Sequence, residues 1–182
     1  TTTCADGHSE SFGADGSTSY NGADGSSSTY NADGSSSGSD GQGNSSTYGA
    51  DGSSSWTSSD GGSGSYNADG SGSYDDGQGN TSNMDAEGNS TYTYADGSSE
   101  TNNTDGSGSH TYADGSSESW DSQGGGSLTN ADGSTSTWNA DGTGSSDDGQ
   151  GNTSAYSADG SGSWTGADGS SGTYNADGSY TN

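Results

Sequence analysis

Residues 20–56 read YNGADGSSSTYNADGSSSGSDGQGNSSTYGADGSSSW, and this stretch decides the reading of the whole chain. It returns to Asp-Gly, then to a run of serines, then to an aromatic ring. Working outward from it, a glycine falls at residue 7 and at every ninth position through Gly178, twenty times without a gap. The residue before that glycine is Asp fifteen times, Gln at Gln42, Gln78, Gln123 and Gln150, and Glu at Glu87. Glycine enters the left-handed region freely and Asp hydrogen-bonds the backbone two residues on, so each Asp-Gly marks a bend.

The 182 residues include no Lys, Arg or Pro, a single Cys and only 19% hydrophobic residues. An ordinary globular domain is about 45–50% apolar, so a conventional oily interior is excluded. Bulk composition alone describes a disordered chain. The strict period argues instead for stacked repeats, in which backbone ladders supply the order and each repeat touches only its neighbours. A formal charge of −26 without one basic residue leaves nothing to neutralise phosphates, which argues against nucleic acid and anionic membrane surfaces as partners. No apolar run approaches the roughly 18 residues of a membrane-spanning helix. The chain starts TTTCADG, as a processed mature protein does, and its extreme acidity suggests a secreted, extracellular setting. Cys4 has no internal partner and reads as a leftover thiol, an intermolecular link or a lipid attachment point.

The rings double the period. Six residues past the turn acid, alternate repeats carry Phe12, Tyr30, Tyr48, Tyr66, Met84, Asn102, Trp120, Trp138, Tyr156 and Tyr174. In the other repeats the ring comes one place earlier, at Tyr20, Trp56, Tyr74, Tyr92 and Trp164. The expected fold is therefore all-β: a parallel β-solenoid or β-roll with two short strands per 18-residue coil and Asp-Gly corners. Ten such coils would make a rod on the order of 50 Å long. Residues 1–5 are a lead-in and residues 6–182 a single repeat domain.

Side chains alternate along a strand, which sorts the columns. Ser27 and Thr29, Ser45 and Thr47, Ser19, Ser37, Ser55 and their equivalents stand where almost only small residues occur. The columns between them admit Glu10, Glu100 and Glu118, rings, Gly, Met and His, the tolerance of a solvent face. The hydroxyl residues are accordingly expected to form a narrow Ser/Thr/Ala core between two sheets, bonded to one another along the ladder. Twelve rings then point outward as surface columns for binding or packing: Tyr30, Tyr48, Tyr66, Trp120, Trp138, Tyr156 and Tyr174, and Tyr20, Trp56, Tyr74, Tyr92 and Trp164. The converse arrangement, rings inside, would bury the three glutamates at a heavy desolvation cost.

Stacked corners would align carboxylates in columns: Asp6, Asp24, Asp96, Asp114 and Asp132 in one, Asp51, Asp69, Asp141 and Asp159 in the other. Neighbours about 5 Å apart repel, by around a kcal/mol per pair in water and salt. Either the carboxylates accept N–H groups of their own turns, or Ca²⁺ or Na⁺ sits between layers. No cofactor is required, and Ca²⁺ is the candidate. The nine-residue period resembles the calcium-binding nonapeptide β-roll of RTX adhesins and toxins, G-G-x-G-x-D-x-U-x. Aligned with ADGSSSTYN, Tyr30 takes the apolar place, but Ser28 stands where the liganding Asp belongs and Asp24 where a Gly belongs, so no ligand is carried over. GQGN at residues 41–44, 77–80 and 149–152 resembles the G-x-G-N of curlin repeats, which stack two strands per layer into secreted fibres. Sequons at Asn44, Asn80, Asn89, Asn102 and Asn152 are candidate glycosylation sites that also arise readily by chance in so Ser- and Thr-rich a chain.

Catalysis has no support in the pattern. His8 and His110 are the only imidazoles, far apart in sequence, and neither C-x-x-C nor H-E-x-x-H occurs. The leading expectation is a structural protein: a subunit of an extracellular filament, or a rigid adhesin segment, self-associating end to end through uncapped coils. Its ring columns could then pack filaments or stack on polysaccharide. The alternatives are an ice-binding solenoid, suggested by the partial column Thr57, Thr93, Thr111, Thr129 and Thr165, and a calcium-dependent adhesin roll.

Overall fold

A computed structural model describes all residues from Thr1 to Asn182. Each nonapeptide folds into four residues of strand followed by five of turn, and no residue is helical. The chain divides into two compact units, Thr1–Ala95 and Asp96–Asn182. Contacts in a repeat sheet are local, made between neighbouring strands and between neighbouring turns on one edge.

The first unit holds β1 (Thr2–Thr3), β2 (Ser9–Phe12), β3 (Thr18–Asn21), β4 (Ser27–Tyr30), β5 (Ser36–Ser39), β6 (Ser45–Tyr48), β7 (Ser54–Thr57), β8 (Ser63–Tyr66), β9 (Gly72–Asp75), β10 (Thr81–Met84) and β11 (Ser90–Thr93). The second holds β12 (Ser99–Asn102), β13 (Gly108–Thr111), β14 (Ser117–Trp120), β15 (Gly126–Thr129), β16 (Thr135–Trp138), β17 (Gly144–Asp147), β18 (Thr153–Tyr156), β19 (Gly162–Thr165), β20 (Ser171–Tyr174) and β21 (Tyr180–Thr181). The expected lead-in is itself part of the sheet, because Thr2 and Thr3 pair with Glu10 and Ser9.

Within each unit every strand pairs antiparallel with the next in sequence, an open meander in place of the expected parallel solenoid. Thr18 faces Tyr30, Ser19 faces Thr29 and Asn21 faces Ser27, and the same register recurs along both units. The turn is the physical reason. Asn31 N–H donates to the Ser35 carbonyl at 2.9 Å, and Gly34 N–H donates to the Asn31 carbonyl at 3.0 Å, with Gly34 at φ +89°. A short loop closed by a left-handed glycine is a common hairpin connection, and it returns the chain beside the strand it has just left. A solenoid corner would instead carry it on to a new layer. The doubled ring period survives this change, since successive strands run in opposite directions and expose alternate positions to a given face.

Each unit is a single layer. No hydrophobic side chain is buried, and Ser98, 8% exposed, is the buried polar residue. The narrow core between two sheets is thus corrected: the small residues form one open face and the rings the other. Hydroxyl pairs do form, but across neighbouring antiparallel strands: Ser11 with Ser19 at 2.6 Å, Thr47 with Ser55 at 2.6 Å, Thr101 with Ser109 at 2.7 Å and Thr137 with Ser145 at 2.8 Å.

The three GQGN segments build a different turn. Gly41 and Gly43 both have positive φ, 73° and 101°, and Asp40 accepts from the Gln42 N–H at 2.7 Å, from the Asn44 N–H at 3.1 Å and from the Asn44 amide group. The Asn44 Oδ1 then accepts from the Ser59 N–H at 2.8 Å, in the next turn along the same edge. Asn80 holds Ala95 in the same way at 3.0 Å, and Asn152 holds Ala167 at 2.9 Å. On the other side Gly41 presses against Gly25; a Cβ there would lie 2.6 Å from the Gly25 carbonyl carbon. These segments clasp neighbouring turns of one layer, where a curlin-like resemblance implies stacking of successive layers.

Candidate functional site

Glu10, Phe12, Thr18, Tyr20, Ser28 and Tyr30 share one face of β2, β3 and β4, and the same alternation continues through both units. In the first unit this face carries Phe12, Tyr30, Tyr48, Tyr66 and Met84 in one row and Tyr20, Trp56, Tyr74 and Tyr92 in the other, all substantially exposed. The second unit, on its own ring face, carries Trp120, Trp138, Tyr156 and Tyr174 in one row and Trp164 in the other. Within each unit the row of Phe12 or of Trp120 sets its rings opposite Thr, Ser or Gly up to Tyr174, so those rings have room to recline, whereas the other row sets Glu10 opposite Tyr20 and runs Glu100, His110, Glu118 and Leu128 on consecutive strands. Trp56 leans over Gly64, where a Cβ would meet its Nε1 at 2.6 Å, and Trp120 over Gly108, where a Cβ would meet its Cζ2 at 2.5 Å. Trp138, Tyr156 and Tyr174 cover Gly126, Gly144 and Gly162 likewise. A ring laid over a glycine shields sheet backbone that has no second layer above it. These pairs, eight residues apart for Trp56 and Gly64 and twelve for the others, escape a reading by columns, although the recurrence of Gly108, Gly126, Gly144 and Gly162 opposite Trp120, Trp138, Tyr156 and Tyr174 was visible in the sequence.

Carboxylates sit among the rings. Glu10 is cross-strand from Tyr20 and, with Phe12 and Tyr30, lines a shallow recess of about 160 Å³. In the second unit His110 lies between Glu100 and Glu118 on the neighbouring strands and stacks on Tyr112, ring centroids 4.1 Å apart. Burial raises the Tyr112 phenol above its ordinary value, with the Glu118 carboxylate adding to the effect.

The turn aspartates are engaged by their own turns. Asp24 Oδ1 accepts the Ser26 hydroxyl at 2.6 Å and the Ser26 N–H at 2.9 Å, and these two bonds hold its carboxyl below the usual value. Asp51, Asp69, Asp96, Asp114, Asp132, Asp141 and Asp159 repeat the arrangement with the hydroxyl and N–H two residues on, and each is lowered by the same two causes in the same order. The expected columns are also twice as widely spaced as a solenoid would make them. Turns on one edge are two strands apart, about 10 Å, comparable to the screening length in 0.1 M salt, so the expected repulsion between stacked layers is largely removed.

All five sequon amides donate to carboxylates. Asn44, Asn80 and Asn152 donate to Asp40, Asp76 and Asp148, while Asn89 reaches Asp85 at 2.8 Å and Asn102 reaches Glu100 at 2.6 Å. A sugar on any of them would have to displace or share that bond.

One cluster went unread in the sequence. In the first turn the Cys4 thiol, an Asp6 carboxylate oxygen and a His8 ring nitrogen lie within 4.8 Å of one another. Their alternate spacing, C-x-D-x-H across a turn, was the available signal.

No family model and no curated protein sequence matches the chain. Solved structures do share the fold. The TCP10 domain of Danio rerio CPAP matches with a TM-score of 0.52 at 18% identity, over 90% of this chain and 96% of that one. The same domain in complex with a peptide of Danio rerio STIL gives 0.50 at 16%, over 100% and 96%. The G-box domain of CPAP, described with a suggested role in centriole elongation, gives 0.49 at 16%, over 93% and 99%. At these identities the likeness is one of fold. It sets this chain beside β-sheet repeat domains of CPAP and not beside nonapeptide β-rolls. The secreted, extracellular placement is corrected on the same finding: the solved sheets that share this fold are domains of CPAP, and composition is the sole ground for the other view.

Proposed function

We propose that this protein is a non-catalytic repeat sheet that binds an extended, basic segment of another protein across its ring face. The observation that carries the reading is the pair of exposed ring rows with carboxylates set among them: Phe12 is 72% exposed, Tyr30 60% and Tyr20 38%, with Glu10 in their midst. A Lys or Arg side chain lays its stem along such rings, brings its cation to their faces and ends at the carboxylate. The formal charge of −26 attracts that partner from a distance. The CPAP TCP10 domain solved with a STIL peptide supports a peptide partner for a sheet of this kind. End-to-end self-association is not required for this reading.

The test is titration of the full chain with extended Lys/Arg-containing peptides, read by tryptophan fluorescence at low and moderate salt. Tyr20→Ser with Tyr30→Ser should weaken binding, and salt should weaken it further. Equal affinity in the ring variants, or equal binding by a neutral polysaccharide, defeats the proposal.

The opposite face favours a second reading, ice binding. Its two rows of hydroxyls pair residues two apart on one strand, as in Thr91 with Thr93, Thr135 with Thr137 and Ser99 with Thr101, and each row steps from strand to strand. The rows thus form a two-dimensional array with spacings of about 5 Å and about 7 Å, interrupted at Asp75 and Asp147. Thermal hysteresis lost on replacing Thr135 and Thr137 by bulky residues would support it, and no hysteresis would end it.

A further inference from the structure

The standard turn of this protein brings three side chains together. In Asn31–Ser35 the Asn31 amide donates to the Ser35 hydroxyl at 2.9 Å and that hydroxyl donates to Asp33 Oδ1 at 2.7 Å. Residues one, three and five of the turn therefore meet over its backbone, and the same trio recurs at Asn67, Asp69 and Ser71 and at Asn130, Asp132 and Ser134.

The first turn has the same backbone. Cys4 N–H donates to the His8 carbonyl at 2.9 Å, Gly7 N–H to the Cys4 carbonyl at 3.1 Å, and Gly7 has φ +93°. Its three converging places hold a thiol, a carboxylate and an imidazole: Cys4, Asp6 and His8, their donor atoms within 4.8 Å of one another. Cys4 is the chain's single cysteine and His8 one of its two histidines, so two rare residues fall at two of the positions whose side chains converge in the Asn31, Asn67 and Asn130 turns.

We propose that the Cys4–Asp6–His8 turn is a binding site for a borderline-soft divalent cation of the zinc type. Thiolate, carboxylate and imidazole are the ligand types such an ion takes, and three protein ligands leave a fourth position for water or an exogenous donor. Two anionic ligands balance the ion's charge. His8 Nδ1 now lies 2.6 Å from Asp6 Oδ1, a hydrogen-bonding distance. Two ligands on one tetrahedral zinc stand about 3.3 Å apart, so binding moves this pair apart by under an ångström, with the imidazole proton carried on the nitrogen that faces away from the ion and the thiol proton released on forming the thiolate ligand.

The experiment uses the full chain, kept reduced, titrated with Co²⁺ and then Zn²⁺. The expected result is one equivalent of Co²⁺ giving tetrahedral visible bands and a thiolate charge-transfer band in the near ultraviolet, both removed by one equivalent of Zn²⁺. The comparison variant is Cys4→Asn with His8→Ser, which rebuilds the standard N-A-D-G-S turn seen at residues 31–35 and so keeps the fold. It should lose the charge-transfer band and bind Zn²⁺ more weakly by about 100-fold or more, since losing even an outer-shell partner costs about 10–100-fold. Absence of the thiolate band in the native chain overturns the proposal. So does equal Zn²⁺ affinity in the variant, which would assign the metal to the abundant surface carboxylates.

Discussion

Replacing Gly34 and Gly41 by alanine, one at a time, separates two demands placed on glycine in neighbouring turns. Both residues have positive φ, 89° and 73°. A Cβ on Gly34 meets nothing within 4 Å, so Gly34→Ala bears only the left-handed conformation, about 1–2 kcal/mol. A Cβ on Gly41 would lie 2.6 Å from Gly25 C, 2.7 Å from Asp24 O and 2.8 Å from Ser26 N, all backbone. Gly41→Ala therefore adds the cost of forcing two turns apart, about 1–3 kcal/mol for overpacking. Because repeats communicate through neighbours and unfolding of such arrays is not all-or-none, the assay is residue-resolved hydrogen exchange on the full chain. Gly34→Ala should speed exchange at the Asn31 and Gly34 amides by about 5–30-fold and leave residues 22–26 alone. Gly41→Ala should speed exchange at the Gly22 and Gly25 amides, which close the facing turn at 2.7 Å and 3.2 Å. Unchanged exchange at Gly22 and Gly25 in Gly41→Ala would refute the clasp between turns.

Acid should loosen the sheet from its turns: the turn carboxylates have lowered pKa in the fold, so their contribution is present above the unfolded value of about 3.9 and is lost as pH falls through the folded one. Circular dichroism from pH 7 to pH 2 checks this, and a sheet signal indifferent to pH through that range contradicts it. Asn44→Ala removes the acceptor for the Ser59 N–H and the tie to Asp40, costing about 1 kcal/mol per bond, and exchange at Ser59 should rise while that at Asn67 does not. Gly64→Ala puts a Cβ 2.6 Å from the Trp56 Nε1 and 3.2 Å from the Ser73 carbonyl oxygen, so the ring must swing aside and one of the four indoles should become more open to acrylamide quenching, while an unchanged quenching profile would contradict the ring-over-glycine packing.

Much of this structure is readable from local chemistry. Glycine at a nine-residue interval, preceded by Asp in fifteen of twenty repeats, places every turn, and alternation along Ser27–Tyr30 and its copies separates hydroxyl residues from rings. What escaped was the partner of each strand. A parallel coil and an antiparallel meander both place two short strands in 18 residues and expose the same columns; they differ in whether a strand lies beside the next one or the one after. Glycines twelve residues from the rings that cover them, Gly126 and Trp138 among them, fit the antiparallel register alone, since a parallel stack would set Trp120 against Trp138. The metal-type cluster was hidden for a related reason: Cys4, Asp6 and His8 are unremarkable in sequence until a hairpin folds their alternate side chains over one loop.

The sequence by itself determined the period, the position of every bend, the two chemically distinct faces and the exclusion of an oily interior, because each follows from residues within a few bonds of one another. Tertiary structure alone decided that the chain doubles back at every bend, that each unit is one layer with both faces open, and that particular turns and side chains meet. The cause is the left-handed glycine acting with the Asp-accepted N–H two residues on: the pair closes a hairpin, and closure fixes a direction in space that no column of residues records.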